Sequence, residues 1–162
     1  MYRKYKLNEK YTLYKSLCFP YISKKKPTFS HRVTIGIGGN LGDVKRRFEH
    51  LFVVLQKEKR VELVETSLIL KNPPFGYMEQ EDFFNSIIIC YTEMNAKDFL
   101  YYLQRLEKKF GRKRSFKDAP RTLDLDMIFF DNITMQTDFL TLPHPSWHER
   151  ESVLIPLAGI RS

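Results

Sequence analysis

The chain has 162 residues, 43% hydrophobic and 14% aromatic, with a formal net charge of +8. That length and apolar content suit one domain with a sizeable core and exclude wholesale disorder. Nine Lys or Arg and one Glu in residues 1–32 carry the whole charge excess, while the other 130 residues balance 18 basic against 18 acidic side chains, which argues against a domain whose whole surface binds nucleic acid.

Residues 1–31 make a basic N-terminal arm with no glycine, five tyrosines and a Lys24-Lys25-Lys26-Pro27 break. Without a period of 3.6 or 2, the arm is expected to be a disordered tail, a tether to a polyanion, or an extension from a start codon placed too far upstream. Its charges are expected to be bystanders to the chemistry. It lacks the apolar core and cleavage site of a secretory signal, and no apolar run is long enough to span a bilayer. Cys18 and Cys90, 72 residues apart, form neither a disulfide framework nor a zinc cluster, so the cytoplasm is the expected compartment.

The body, residues 32–162, opens with Val33–Ile37, where branched apolar residues alternate as in a strand. Gly38-Gly39-Asn40-Leu41-Gly42 is a turn, and Asp43 is placed to cap a helix whose apolar stripe is Phe48, Leu51, Phe52 and Leu55. Val61–Leu70 reads as a second strand. Lys71-Asn72-Pro73-Pro74-Phe75-Gly76 must be a loop, because paired prolines remove two donors. Phe84–Tyr91 is a third strand, and Asn95 starts a second helix with the stripe Phe99, Leu100, Leu103, Leu106 and Phe110, ended by Gly111. A basic loop over 112–121 leads to a fourth strand, Leu123–Phe130. The order predicts an α+β fold of the ferredoxin-like βαββαβ type, an antiparallel sheet with helices packed on one face.

The fourth strand and its approach hold the most informative run of residues. In Pro120-Arg121-Thr122-Leu123-Asp124-Leu125-Asp126, the two aspartates share a face with Cα atoms roughly 7 Å apart. Two carboxylates at that spacing repel by roughly 2 kcal/mol at an effective dielectric of about 20. Either one takes up a proton or a cation sits between them, and oxygen-only ligands favour Mg²⁺. Ile128 and Phe130 follow on the same face. Arg112, Lys113, Arg114, Lys117 and Arg121 crowd the preceding loop, and basic groups beside paired acids are what phosphoryl transfer requires. The plainer alternative is an Asp pair salt-bridged to its neighbours in a solvated loop. No P-loop or dinucleotide-binding glycine pattern is present, and His144 and His148 lack a third zinc ligand at a matching spacing.

Five segments in order resemble the 6-hydroxymethyl-7,8-dihydropterin pyrophosphokinase family: Gly38–Asp43, Asn72–Gly76, Phe83-Phe84-Asn85, Pro120–Asp126, and Leu142-Pro143-His144-Pro145 followed by His148-Glu149-Arg150. The resemblance covers about residues 32–160. It implies a folate-pathway enzyme that moves pyrophosphate from ATP, as co-substrate, to the hydroxymethyl group of a reduced pterin, leaving AMP. It implies that Asp124 and Asp126 hold two Mg²⁺ ions and that Arg112, Arg114 and Arg121 contact phosphates, with Arg112 and Arg121 acting during transfer. Gln104, Glu107, Met127, Thr141, His144 and Arg150 would complete the ATP side. Asn72, Pro73, Pro74, Phe75, Phe83 and Asn85 would form the pterin pocket, with Phe83 stacking on the ring and Asn85 reading its edge, as a flat amphipathic heterocycle demands.

The sequence departs from that pattern in four places. Gly39 stands where Ser is usual, the 113–120 loop is one residue short and lacks a Trp, and the C-terminus is short. Ser152 falls where an aromatic completes the pterin sandwich, so Trp147 or Phe75 is expected to supply the second ring. The implied partners are small molecules, with no membrane or nucleic acid, in a monomer able to contact other folate enzymes. An RNA-binding module of the same βαββαβ order is one alternative, and a relative that has lost catalysis is another.

Overall fold

Val33, Ile35 and Ile37 alternate with Thr34, Gly36 and Gly38, so this strand is apolar on one side and nearly bare on the other. It becomes the centre of the sheet. The computed structural model describes residues 3–74, 76–111 and 118–162. In chain order they form β1 (Arg3–Lys6), β2 (Thr12–Lys15), β3 (Tyr21–Ile22), β4 (His31–Gly39), α1 (Val44–Lys57), β5 (Val61–Thr66), β6 (Ile69–Asn72), β7 (Phe83–Thr92), α2 (Ala96–Lys109), β8 (Asp124–Phe130), β9 (Met135–Gln136), β10 (Thr141–Leu142) and α3 (Glu151–Ala158).

Eight of these strands form one sheet in the order β1-β2-β6-β7-β4-β8, with β5 pairing the C-terminal half of β7 and β3 pairing β5. Every pairing is antiparallel. The fold is α+β, a mostly antiparallel sheet with three helices. Both expected caps are present: Asp43 accepts from the Arg46 N–H and Asn95 from the Asp98 N–H. The expected strand Val61–Leu70 is instead two, because the Ser67 hydroxyl takes the Ile87 N–H at 2.8 Å and meets the Ser86 hydroxyl at 2.8 Å, which interrupts the ladder between β5 and β6.

The helices do not share one face. Val33, Ile35 and Ile37 of β4 pack with Phe48, Leu51 and Leu55 of α1 and with Phe99, Leu103 and Leu106 of α2. On the other face α3 covers β7, where Val153 and Leu157 meet Ile87 and Ile89. The reason is the run Ile87-Ile88-Ile89: consecutive side chains on a strand point to opposite faces, so an uninterrupted apolar run needs cover on both. Among the described residues no helix is long and apolar enough to cross a membrane.

Residues 3–31, for which a disordered tail, a tether and a start-site extension are the expected readings, contribute β1, β2 and β3 to the sheet. β2 pairs β6 through Thr12, Leu13 and Tyr14. Phe19 is fully buried, its ring 5.9 Å from Phe48 and 6.2 Å from Phe52, and the Thr66 hydroxyl donates to the Cys18 carbonyl at 2.5 Å. A two-stranded hairpin is marginal alone, and the β6 edge supplies its missing ladder. Replacing Phe19 with Ala is expected to lower stability by about 3–5 kcal/mol, the usual loss for a buried aromatic. Urea unfolding checks it; a loss under about 0.5 kcal/mol, the range of surface changes, would mean that the arm does not dock.

Candidate active site

On the face opposite α1 and α2, Gly36 and Gly38 of β4 lie between Ile87 and Asn85 of β7 and Asp126 and Asp124 of β8. A middle strand without side chains leaves a trough walled by its neighbours. A Cβ at Gly38 would stand 2.6 Å from Asn85 Oδ1, so any larger residue displaces that amide. The trough opens into a cavity of about 650 Å³ lined by Asn72, Pro73, Pro74, Phe83 and Asn85 on one side and Arg121, Asp124, Asp126 and Arg150 on the other. That volume is in the range of small-molecule sites.

Asp124 and Asp126 share the cavity face, as their spacing predicts. The strand beyond them departs from simple alternation. Thr34 pairs Phe129 but Ile35 pairs Met127, so Ile128 is an extra residue, a bulge. Ile128 stays on the cavity, while Phe130 turns to the helical core beside Val33. The expectation that Phe130 shares the face of the acids is therefore corrected by the bulge.

Arg121 Nη1 donates to Asp124 Oδ2 at 2.7 Å. Burial works against its charge, but Asp124, then Asp126 and Asp118, outweigh it and raise its pKa. Its backbone is fixed as well. The Arg121 N–H donates to Asn40 Oδ1 at 2.8 Å, and its carbonyl accepts from the Asn40 and Leu41 N–H groups. The Asn40 amide donates in turn to Gln80 Oε1 and the Glu81 carbonyl at 2.8 and 2.9 Å, and Gln80 Nε2 donates to the Asp118 carbonyl at 2.9 Å. One asparagine thus ties the loop after β6 to the loop before β8. Gly39 belongs to the same junction: a Cβ there would lie 2.6 Å from the Thr122 carbonyl, which is the room a serine would have to find.

Of the expected pterin-side residues, Asn72, Pro73, Pro74, Phe83 and Asn85 come together, and Asn85 Nδ2 donates to Asn72 Oδ1 at 2.6 Å. Phe75, Arg112 and Arg114, with Lys113 and Lys117, lie outside the described residues. Of the expected ATP-side residues, Arg121 and Arg150 line the cavity. His144 sits beside it, its N–H donating to the Ile128 carbonyl at 2.9 Å. Burial and the charge of Arg150 lower the His144 pKa, with Asp124 pulling the other way, which favours the neutral imidazole. Gln104 is exposed on α2, and Thr141 is exposed on β10. Glu107 is buried and accepts the Leu125 N–H at 2.8 Å, holding β8 in place. Met127 belongs to the core beneath α1 and α2. None of these four is among the residues that line the cavity. Trp147 is not a cavity wall either; its ring stands edge-on to Phe129 at 4.9 Å.

Residues the sequence reading left without a role also meet here. Asn40 was visible only as part of a turn, and nothing local marks it as the junction of two distant loops. Lys10 and Tyr11 of the arm line the cavity, so part of the N-terminal charge reaches the site. The middle strands bear Gly36, Gly38, Asn85 and Ile87 on this face, with α3 over Ile87, so Phe83 at the end of β7 faces the cavity without the row of exposed aromatics on which an RNA-binding sheet stacks bases.

A family model described as 7,8-dihydro-6-hydroxymethylpterin-pyrophosphokinase matches residues 34–162. The chain is 42% identical over 142 residues to the 2-amino-4-hydroxy-6-hydroxymethyldihydropteridine pyrophosphokinase of Helicobacter pylori, covering 86% of this chain and 87% of that protein. It is 40% identical over 146 residues to the protein of the same name from Campylobacter jejuni, covering 90% and 93%. With the Bacillus subtilis protein of that name it shares 34% over 126 residues, covering 78% and 75%.

Proposed function

The chain belongs to the 7,8-dihydro-6-hydroxymethylpterin-pyrophosphokinase family, and we propose that its cavity is where ATP and 6-hydroxymethyl-7,8-dihydropterin meet. Pyrophosphate transfer to the hydroxymethyldihydropterin, a step of folate synthesis, is the function that this membership gives it. The observation that carries the site assignment is the junction of two unlike surfaces in one cavity. An aromatic ring and paired amides (Phe83, Asn72, Asn85) face an arginine and two aspartates (Arg121, Asp124, Asp126).

The pterin stacks on Phe83, with the Asn85 and Asn72 amides matching the donors and acceptors at its edge. That pose leaves the hydroxymethyl group toward the charged half. The hydroxyl oxygen bonds to the β-phosphorus of ATP as its proton passes to solvent, the bond from that phosphorus to the α-phosphate oxygen breaks, and AMP leaves. Arg121, held at its backbone by Asn40, presents fixed N–H donors to the phosphate oxygens, and Arg150 adds charge on the same side of the cavity. Arg112 and Arg114, together with Gln104, Glu107, Met127, Thr141 and His144, complete the proposed ATP side, and Pro73, Pro74 and Phe75 the pterin side.

Asp124 and Asp126 are the residues that would hold the two proposed Mg²⁺ ions. Their hard oxygens share one face of the cavity, and no group of three or more His, Cys, Asp or Glu placed to hold a metal occurs among the described residues. Two carboxylates suit a cation that keeps waters and takes its other ligands from substrate phosphates. Bound there, it would neutralise phosphate charge and polarise the phosphoryl oxygens.

The ferredoxin-like reading of residues 32–162, taken as one catalytic domain, is supported by the order β4-α1-β5-β7-α2-β8 and by α1 and α2 sharing a face. The proposed state is a monomer, and the proposed compartment is the cytoplasm. The test is AMP formation from ATP and Mg²⁺, with and without 6-hydroxymethyl-7,8-dihydropterin. Equal amounts of AMP and pterin diphosphate are expected only with all components present; AMP release indifferent to the pterin would defeat the reading.

A further inference from the structure

We propose that Tyr11, on the turn between β1 and β2, is a second aromatic wall of the pterin-binding half of the cavity. The proposal rests on the functional reading above and extends it to a residue outside positions 34–162, the stretch that matches the family model.

Alternation along β2 sets where Tyr11 points. Tyr14 stands edge-on to Phe84 with ring centroids 5.8 Å apart, and Lys45 of α1 lies over both rings. Thr12 and Tyr14 therefore face the α1 side, and Leu13 and Tyr11 face the cavity. Register agrees. Thr12 pairs Lys71, and Asn72 pairs Phe83, so one step beyond the last paired residue Tyr11 joins Asn72 and Phe83 in a row across β2, β6 and β7. The ends of that row are two strand spacings apart, about 10 Å, room for one flat ring between two aromatic faces with Asn72 at its base. Tyr11 and Phe83 are the aromatic residues lining the cavity among the described residues.

The turn that carries Tyr11 is well formed. Asn8 Oδ1 accepts from the Lys10 and Tyr11 N–H groups at 2.8 and 2.9 Å, and the Leu7 N–H donates to the Tyr11 carbonyl at 2.9 Å. Among the described residues, two other candidate positions for the second ring do not close the sandwich, and Phe75 lies outside those residues. Ser152 lines the cavity without a ring, and Trp147 is turned to Phe129.

The test uses the full chain, with 6-hydroxymethylpterin as a fluorescent ligand for binding and its 7,8-dihydro form for turnover. Tyr11→Ala is expected to weaken pterin binding and raise the pterin KM by about tenfold, the size of a lost aromatic stack, leaving kcat and the ATP KM near wild type. Tyr11→Phe is expected to stay within about twofold of wild type, and Tyr11→Leu, which keeps apolar bulk on the turn without a ring, to behave as the Ala variant. Wild-type pterin affinity in both Tyr11→Ala and Tyr11→Leu overturns the proposal while leaving the functional reading standing. A wild-type chain that binds no pterin overturns both.

Discussion

Replacing Asp126 with Asn is expected to lower AMP release by at least about a hundredfold while leaving the protein as stable as before or more so. The direction of the stability change separates the two readings of the acid pair. As an ordinary salt-bridged pair, Asp124 and Asp126 would stabilise the strand, and removing one charge would cost stability. As a half-buried pair placed for chemistry, they repel by roughly 2 kcal/mol. A near-isosteric amide at Asp126 relieves that repulsion while giving up only part of the attraction of Arg121, which falls more on Asp124. Asp126 lies opposite Gly36 in the β4–β8 ladder, and the substitution leaves the backbone pairing untouched. The activity that disappears is the contribution of one preorganised charge, of the order of a hundred- to a thousandfold. Asp124→Asn is expected to match it in activity but not in stability, because the Arg121 bond of 2.7 Å would then end on a neutral amide. AMP release across a Mg²⁺ titration, paired with thermal melting, reads both. A variant with near wild-type rates and an unchanged Mg²⁺ requirement would remove Asp126 from the proposed chemistry.

The parts of the molecule legible in the sequence are those governed by short-range rules. The Asp43 and Asn95 caps, the stripes of α1 and α2, and the shared face of Asp124 and Asp126 all follow from spacings of two to four residues. What stayed hidden depends on partners far along the chain. The Ile87-Ile88-Ile89 run signals a buried strand, but the helix over its second face comes from residues 151–158, where Pro156 interrupts any clean helical pattern. The split between β5 and β6 rests on one serine hydroxyl reaching β7, and the bulge at Ile128 is a matter of register with β4. The arm is the least legible part of the chain. Its Lys-rich composition gives no periodic signal, because β2 is held by the edge of β6 and by one buried ring, Phe19, more than by an amphipathic face of its own.

Arg121→Lys is expected to lower kcat by about a hundredfold with little change in the pterin KM, although the charge is kept. The argument lies in how Arg121 is held. Asn40 fixes the backbone on both sides of the peptide, its amide group accepting from the Arg121 N–H and its own N–H donating to the Arg121 carbonyl. Nη1 is committed to Asp124, and Arg121 lines the cavity. A guanidinium can therefore hold the aspartate and a phosphate oxygen at once, in one plane. An ammonium is a compact point charge on a flexible stem and meets one of those demands at the expense of the other. Arginines acting in phosphoryl transfer contribute about 10³–10⁵ in rate, so a lysine that recovers the charge but not the geometry should lose part of that factor and Arg121→Ala nearly all of it. Because the proposed pterin site lies on the Phe83 side, pterin affinity should not follow. Single-turnover rates at saturating substrates check the order wild type, Lys, Ala. If Lys instead restores the full rate, charge alone is sufficient at this position and the fixed fork between Asp124 and the phosphates is not what the reaction uses.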